Sequence, residues 1–188
     1  MSSQQTTPGF RRVAVIGAGV AGRGFTRLCL QAGLQVVLED VMPANLRRAE
    51  QDFATMAGLE LVSTVEDAVR EADIAFDFVP DELESKLEIF CMIDRMAPPR
   101  TALCTPSTAQ SITDLASCVY RPDRCFAVRG PLRAESTLQL LYPASASPAI
   151  LAATRQLLEA LSFVIDLQPD NDVPALVKNL PLPLTSTS

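Results

Sequence analysis

Three glycines that directly follow a short apolar run constrain the fold of this chain more than any other feature. After the apolar residues 13–16, the sequence reads Gly17-Ala18-Gly19-Val20-Ala21-Gly22. In a strand–turn–helix unit, the first glycine permits a tight turn and the second lets the backbone approach a phosphate. The third lets the helix pack closely on the sheet. The spacing therefore predicts a strand before this turn and a helix after it.

An acid at the end of the next apolar run completes a dinucleotide-binding pattern. Residues 34–38 form that run, and Glu39-Asp40 close it. The helix N-terminus offers free N–H groups and a positive dipole to a pyrophosphate, while Asp40 is placed to accept hydrogen bonds from a ribose diol. The pattern predicts that residues 17–22, Asp40 and the adjoining Val41 bind NAD(H). The alternative is a turn of the same fold that holds no cofactor.

The charge of Asp40 also favours NAD over NADP, because it would repel a 2′-phosphate. Arg47 and Arg48 follow soon after and would attract such a phosphate. Both arginines lie within the next predicted helix, however, and are more simply explained as part of its solvated face.

Apolar strands and amphipathic helices alternate along the rest of the chain. Further strands are predicted at residues 59–62, 73–79, 101–105, 125–128, 138–141 and 163–167. Ser63 is predicted to begin a capping box for a brief helix, and Ser111 to cap another. The alternation predicts a doubly wound α/β domain with a mainly parallel sheet, which is a Rossmann-type fold, over residues 11–180. Residues 1–10 are predicted to form a flexible arm, and residues 181–188 a disordered tail.

Composition excludes several classes of partner. The net charge of −6 leaves no basic stripe for nucleic acid or for an anionic membrane surface. No apolar run approaches the ~20 residues that a membrane span needs, and residues 1–9 lack the apolar core of a secretory signal. The five cysteines form no C-x-x-C motif, and the chain contains no recognisable metal-ligand cluster. We therefore expect reduced thiols, a cytoplasmic location and no bound metal.

Four further segments together resemble the NAD-binding domain of the 3-hydroxyacyl-CoA dehydrogenase family. The segment Asp73-Ile74-Ala75-Phe76-Asp77-Phe78-Val79-Pro80-Asp81, followed by Lys86 and Phe90, is similar to the family's "D-L-V-x-E-A-x-x-E … K-x-x-x-F". Residues 101–113 are similar to its "S-N-T-S-S-x-x-I-T" segment, and Arg121-Pro122-Asp123-Arg124 to its "R-x-x-R". Residues 172–174 with Asn179 are similar to the hinge that leads into the family's helical second domain. The resemblance runs from about residue 13 to residue 179.

This resemblance implies further cofactor contacts beyond the glycine turn. The further cofactor-binding positions are Phe78, Val79, Asp81, Lys86, Thr105 and Thr108, of which the resemblance places Asp81, Lys86 and Thr108 near the nicotinamide end of NAD. These three each have an alternative reading without a ligand. Asp81 would complement a helix dipole, Lys86 would be an ordinary surface lysine, and Thr108 would cap a loop.

The departures from the family concern catalysis. The family's reaction uses a histidine that takes the proton of the 3-hydroxyl group while hydride passes to NAD, and the matching position here is Arg129. The chain has no histidine at all. Arginine stays charged at any working pH, so it can stabilise an oxyanion but cannot accept a proton. Its side chain would either face a ligand or lie at a solvent-exposed edge.

Other parts of the family's site are altered as well. The glutamate that orients the histidine falls near Leu141 or Tyr142, and the family's serine–asparagine pair becomes Thr105-Pro106. The helical excursion that grips the CoA arm in the family is short here. The sequence also ends where the helical dimerisation domain is expected to begin, so that domain is predicted to be missing.

These observations lead to three functional hypotheses. The first is an NAD(H)-binding domain of the acyl-CoA and fatty acid oxidoreductases whose catalysis is lost or strongly altered, a pseudoenzyme. The second is an active NAD-dependent dehydrogenase that acts on an acyl-thioester or a small hydroxy substrate, with Asp77, Asp81, Lys86 or Tyr142 as the acid–base group. The third is a non-catalytic subunit that pairs as a homodimer or with a partner chain through the face that the helical domain would cover.

Overall fold

The computed structural model describes residues 9–170 and residue 174, which form eight strands and six α-helices. The strands are β1 (Arg12–Ile16), β2 (Gln35–Glu39), β3 (Leu59–Val62), β4 (Ile74–Asp77), β5 (Ala102–Pro106), β6 (Cys125–Arg129), β7 (Thr137–Tyr142) and β8 (Val164–Pro169). The helices are α1 (Val20–Gln31), α2 (Pro43–Asp52), α3 (Val65–Val69), α4 (Leu83–Met96), α5 (Ile112–Ala116) and α6 (Pro148–Ala160). A short 3₁₀ helix, Pro122–Arg124, precedes β6. Three predicted segments lie outside the described residues. They are the arm, except for residues 9 and 10, the hinge, except for Pro174, and the tail.

The strands form one mainly parallel sheet, which confirms the predicted Rossmann-type fold. Their order is β3-β2-β1-β4-β5-β6-β7-β8. The chain moves outward from β1 to β3 and then returns to the other side of β1, so strand order reverses between β1 and β4. Only the β6–β7 pairing is antiparallel. In such sheets, ligands bind at the carboxyl ends of the strands beside this reversal.

Helices cover both faces of the sheet because the central strands are apolar on both sides. On one face, Phe25 of α1, Leu158 of α6 and Val15 of β1 belong to one buried cluster. On the other face, Phe90 of α4 and Leu115 of α5 belong to a second buried cluster. The two cores hold the parallel strands in register and fix where their carboxyl ends lie.

The predicted helix caps are partly confirmed. The Ser111 hydroxyl accepts a hydrogen bond from the backbone N–H of Asp114 at the start of α5, as predicted. At α3 the cap is Thr64 rather than Ser63, because the Thr64 hydroxyl accepts from the N–H of Asp67 and donates to its carboxylate. The capping pair is therefore one residue later than the sequence pattern indicated.

None of the helices in the described part of the chain is long and apolar enough to cross a lipid bilayer.

The close packing of α1 on the glycine turn predicts different effects for two glycines of the same helix. A Cβ atom at Gly22 would lie 1.8 Å from the carbonyl oxygen of Gly17, whereas one at Gly24 would meet nothing within 4 Å. We expect Gly22→Ala to lower the free energy of unfolding by about 3 kcal/mol or more, because the backbone must shift. Gly24→Ala should raise it by about 0.5–1 kcal/mol. Urea denaturation of both variants measures this, and equal midpoints would contradict it.

Candidate functional site

The glycine turn between β1 and α1 lies at the carboxyl edge of the sheet, next to the reversal of strand order. Gly17 has a φ of +103°, a conformation that L side chains rarely adopt. Its backbone N–H donates to the carbonyl oxygen of Glu39 at 2.8 Å. Space around Gly19 is open, since a Cβ atom there would meet nothing within 4 Å. The start of α1 is therefore accessible to a phosphate group, as the sequence predicted.

Asp40 connects β2 to this turn. Its Oδ2 atom accepts hydrogen bonds from the N–H of Ala18 at 2.8 Å and from the side chain of Asn45 at 3.0 Å. Its Oδ1 atom accepts one from the N–H of Met42 at 2.8 Å. A carboxylate offers about four acceptor positions, so roughly one remains for a ribose hydroxyl. The predicted ribose ligand is thus also the residue that holds the turn in place.

A cavity of about 430 Å³ lies beside the turn, at the ends of β1, β2 and β4. Its size is ordinary for a small-molecule site. Most of its lining is apolar, with Ser85 and three carboxylates as the polar groups. The lining residues are Ile16, Gly17, Glu39, Asp40, Val41, Val65, Phe78, Val79, Pro80, Ser85, Glu88, Ile89 and Met92. Val41 is 75% exposed at the rim, and Val20 is 83% exposed at the start of α1.

Glu39 is the residue of this cavity that sequence reasoning passed over. Its residue exposure is only 3%, and its Oε1 atom has no hydrogen-bond partner among the described residues. Desolvation by burial, together with the neighbouring charge of Asp40, raises the pKa of Glu39 from 4.5 to about 7. The signal was present in the sequence as an acid at a buried position of an apolar strand.

Lys86 and Asp77 form a fully buried ion pair beneath the site. The Lys86 Nζ atom lies 2.8 Å from Asp77 Oδ1 and donates to the carbonyl oxygen of Pro106 at 3.1 Å. The side chains are 1% and 0% exposed. Burial raises the pKa of Asp77, and the Lys86 ammonium and the Thr105 hydroxyl oppose that effect. Lys86 is therefore not an ordinary surface lysine, which was one of its two readings.

Asp81 joins the β4–α4 loop to the β5–α5 loop. Its Oδ1 atom accepts from the Ser107 hydroxyl at 2.6 Å, and its Oδ2 atom accepts from the N–H of Thr108 at 2.8 Å and the Thr108 hydroxyl at 3.1 Å. Partial desolvation acts to raise the pKa of Asp81. The hydrogen bonds from Ser107 and Thr108, with the charge of Lys86, outweigh it and lower the pKa. The structure thus brings two predicted residues, Asp81 and Thr108, into direct contact.

The comparison with known families accords with this geometry. The model of the "3-hydroxyacyl-CoA dehydrogenase, NAD binding domain" family matches residues 12–162. The chain belongs to this family. NAD is accordingly its cofactor, and the open glycine turn, the spare acceptor on Asp40 and the unpartnered atom of Glu39 all fit such a ligand.

Individual proteins also resemble this chain. A 5-formyl-3-hydroxy-2-methylpyridine 4-carboxylate 5-dehydrogenase of Mesorhizobium japonicum is 25% identical and aligns with 90% of this chain and 60% of its own length. A probable 3-hydroxybutyryl-CoA dehydrogenase of Bacillus subtilis is 29% identical over 61% of this chain and 46% of its own length. The solved (S)-3-hydroxybutyryl-CoA dehydrogenase from Ralstonia eutropha has the same fold, with a TM-score of 0.79 at 20% identity over 86% of this chain and 64% of that one. The chain therefore spans about half the length of the curated relatives it matches.

Arg129, which the resemblance aligned with the family's catalytic histidine, lies at the end of β6. Its guanidinium is half-buried and donates to two backbone carbonyls of the β5–α5 loop, that of Ser107 at 3.2 Å and that of Gln110 at 2.9 Å. It is neither a free edge residue nor a group directed solely at a ligand. Its two hydrogen bonds fasten the β5–α5 loop to the end of β6.

The remaining family positions are buried or lie away from the open edge. The β6–β7 register pairs Arg129 with Gln139 and Ala127 with Leu141. Leu141 is 5% exposed in the apolar core, so no carboxylate stands where the orienting glutamate is expected. Tyr142 continues β7 toward the opposite edge and lies about 10 Å along the sheet from the Arg129 position. Thr105 is completely buried beside Asp77.

Within the described part of the chain, no group of three or more His, Cys, Asp or Glu side chains is arranged to hold a metal ion.

The buried ion pair predicts a large loss of stability when its lysine is replaced. Lys86→Met should lower the free energy of unfolding by about 3–5 kcal/mol, because Asp77 is left as an uncompensated buried charge. The exposed Arg155–Glu159 pair of α6 provides the matched control, and Arg155→Met should cost at most about 1 kcal/mol. Urea denaturation at neutral pH compares the two. Similar losses for both variants would argue against the buried pair.

The raised pKa of Glu39 predicts that its amide variant is more stable than the wild type by an amount that depends on pH. The folded protein disfavours the ionised form, so wild-type stability falls as pH rises from about 4.5 to about 7. Glu39→Gln carries no charge at any pH. It should match the wild type near pH 4 and be more stable by about 2–3 kcal/mol near pH 8. The exposed Glu50→Gln is the control, and a gain for Glu39→Gln that does not change with pH would contradict the assignment.

Proposed function

We propose that this domain binds NAD(H) but has lost, or strongly altered, the hydroxyacyl-CoA oxidation of its family. The observation that carries the proposal is Arg129 at the histidine position, with its guanidinium held by two loop carbonyls. The complete absence of histidine from the 188 residues supports it.

The cofactor half of the site retains what binding requires. The free N–H groups at the start of α1 would hold the pyrophosphate, and Asp40 would hold a ribose. When bound, NAD supplies the hydride acceptor, and the protein must supply the base and the orientation of the substrate. The Asp81–Thr108 contact orders the loops that border the nicotinamide end.

The substrate half lacks a group that can take a proton. Arg129 remains charged at any working pH. Asp81 is held by three hydrogen bonds, which makes it a weak base. Asp77 and Lys86 are buried together, out of reach of a substrate. Tyr142, the fourth candidate, ends strand β7. That strand is antiparallel to β6, so its end lies away from the open edge. These placements support the proposed loss of the hydroxyl-proton step.

A different dehydrogenase activity is the second candidate. The Mesorhizobium japonicum relative, which aligns with 90% of this chain, is named for a pyridine carboxylate rather than for an acyl-CoA. A small hydroxy substrate would not need the grip on a CoA arm. This candidate requires a proton acceptor supplied by the substrate, by water or by another part of the protein. An acyl-thioester substrate, a role in fatty acid metabolism, a cytoplasmic location and pairing with a partner subunit remain predictions.

The proposal predicts binding without turnover. Isothermal titration of the purified chain with NADH should show saturable binding, and Asp40→Leu should weaken it about ten-fold or more, through loss of the ribose contact and of the turn's support. With acetoacetyl-CoA and NADH, no cofactor oxidation above background is expected. Turnover by the purified chain would refute the loss of catalysis, and absence of any heat with millimolar NADH would refute the binding.

A further inference from the structure

A buried carboxyl group without a partner stands at the end of β2. Glu39 is 3% exposed, and its Oε1 atom accepts no hydrogen bond from any described residue. Burying a carboxylate without compensation is costly, and such groups are normally paired. Asp77, another buried acid at this edge, has Lys86 as its counter-ion. The described residues give Glu39 no equivalent partner.

The position of Glu39 within the cavity indicates where a partner would come from. It lines the cavity together with the apolar side chains of Ile16, Val65 and Ile89. On β2 it shares a face with Val37, which packs toward α3 and α4, so its carboxyl group lies on the cavity side of the sheet. Mostly apolar walls with a few polar groups suit a flat heteroaromatic ring that carries a hydrogen-bond donor at its edge.

The order of groups in a dinucleotide places its base at this point. The glycine turn fits the pyrophosphate and Asp40 fits the adjoining ribose. Glu39 directly precedes Asp40 on the strand, and both line the same cavity. The group attached to the ribose is the purine base, which would therefore enter the cavity beside Glu39.

We propose that Glu39 recognises the base of the bound dinucleotide. Its carboxylate accepts a hydrogen bond from the exocyclic amino group of adenine. This inference rests on the proposed NAD(H) binding and assigns a specificity-determining residue to it. An ionised carboxylate can only accept hydrogen bonds. Hypoxanthine has a carbonyl oxygen in place of the amino group, and two acceptors would then face each other.

The expected preference for adenine over hypoxanthine follows from the kind of hydrogen bond that hypoxanthine loses. Hydrogen bonds to charged groups are worth enough to change affinity about 10- to 100-fold. The exposed Glu88 at the outer part of the cavity and the already hydrogen-bonded Asp40 are the other acids nearby. Neither is both buried and unpartnered, so base selection is assigned to Glu39.

The test compares NADH with reduced nicotinamide hypoxanthine dinucleotide by isothermal titration near pH 8, where Glu39 is mainly ionised. The wild type should bind NADH at least about 10-fold more tightly. Glu39→Gln should bind both dinucleotides alike, because its amide can accept from the amino group or, after rotation, donate to the carbonyl. Glu39→Val should bind NADH more weakly than the wild type and show no preference. Glu50→Gln, an exposed acid of α2, should keep the wild-type preference.

The outcomes separate the two proposals. Equal affinity of the wild type for both dinucleotides would overturn the role of Glu39 and leave NAD(H) binding intact. A preference that persists in folded Glu39→Gln and Glu39→Val, with folding checked by circular dichroism, would also overturn it. Failure of the wild type to bind either dinucleotide would overturn the proposed function, and this inference with it.

Discussion

The contact between the glycine turn and the start of α1 determines the rest of the site. Gly22 lies so close to the carbonyl oxygen of Gly17 that no side chain fits between them. Gly17 can turn there because its φ is positive and its N–H is bonded to Glu39. Asp40 then fixes the turn through the N–H of Ala18. These short contacts leave the helix N-terminus facing the open edge of the sheet, where a phosphate group can approach it.

Four acids come together at that edge, and three of them are compensated, each in a different way. Asp40 accepts backbone and amide hydrogen bonds, Asp81 accepts hydroxyl and backbone hydrogen bonds, and Asp77 has the buried Lys86 ammonium. A buried ion pair contributes little net stability against an apolar alternative, but it specifies which groups must meet. Here it links β4, α4 and the end of β5. Among these four acids, Glu39 alone has no partner for its carboxyl group within the described residues, and this supports a ligand as the proposed partner.

In the proposed function, the family's scaffold is kept on one side of the site and changed on the other. The turn, the acid after β2 and the loop contacts of Asp81 preserve the features that hold a dinucleotide. At the end of β6, Arg129 uses its charge to fasten the β5–α5 loop. A permanent cation that fastens a loop and a neutral imidazole that accepts a proton are different chemical functions, and this difference is the basis of the proposed loss of proton transfer.

The sequence by itself determined the fold class, most strand and helix positions, and the cofactor turn. These are local properties: apolar periodicity, glycine at a positive φ, and an acid at a strand end all act within a few residues. Only the tertiary structure decided that Lys86 is buried, that Glu39 is unpartnered, and that Tyr142 lies away from the site. Burial depends on side chains that are distant in sequence, and the direction of β7 depends on its pairing with β6. An apolar strand reads the same in either direction, so the sequence pattern did not place Tyr142.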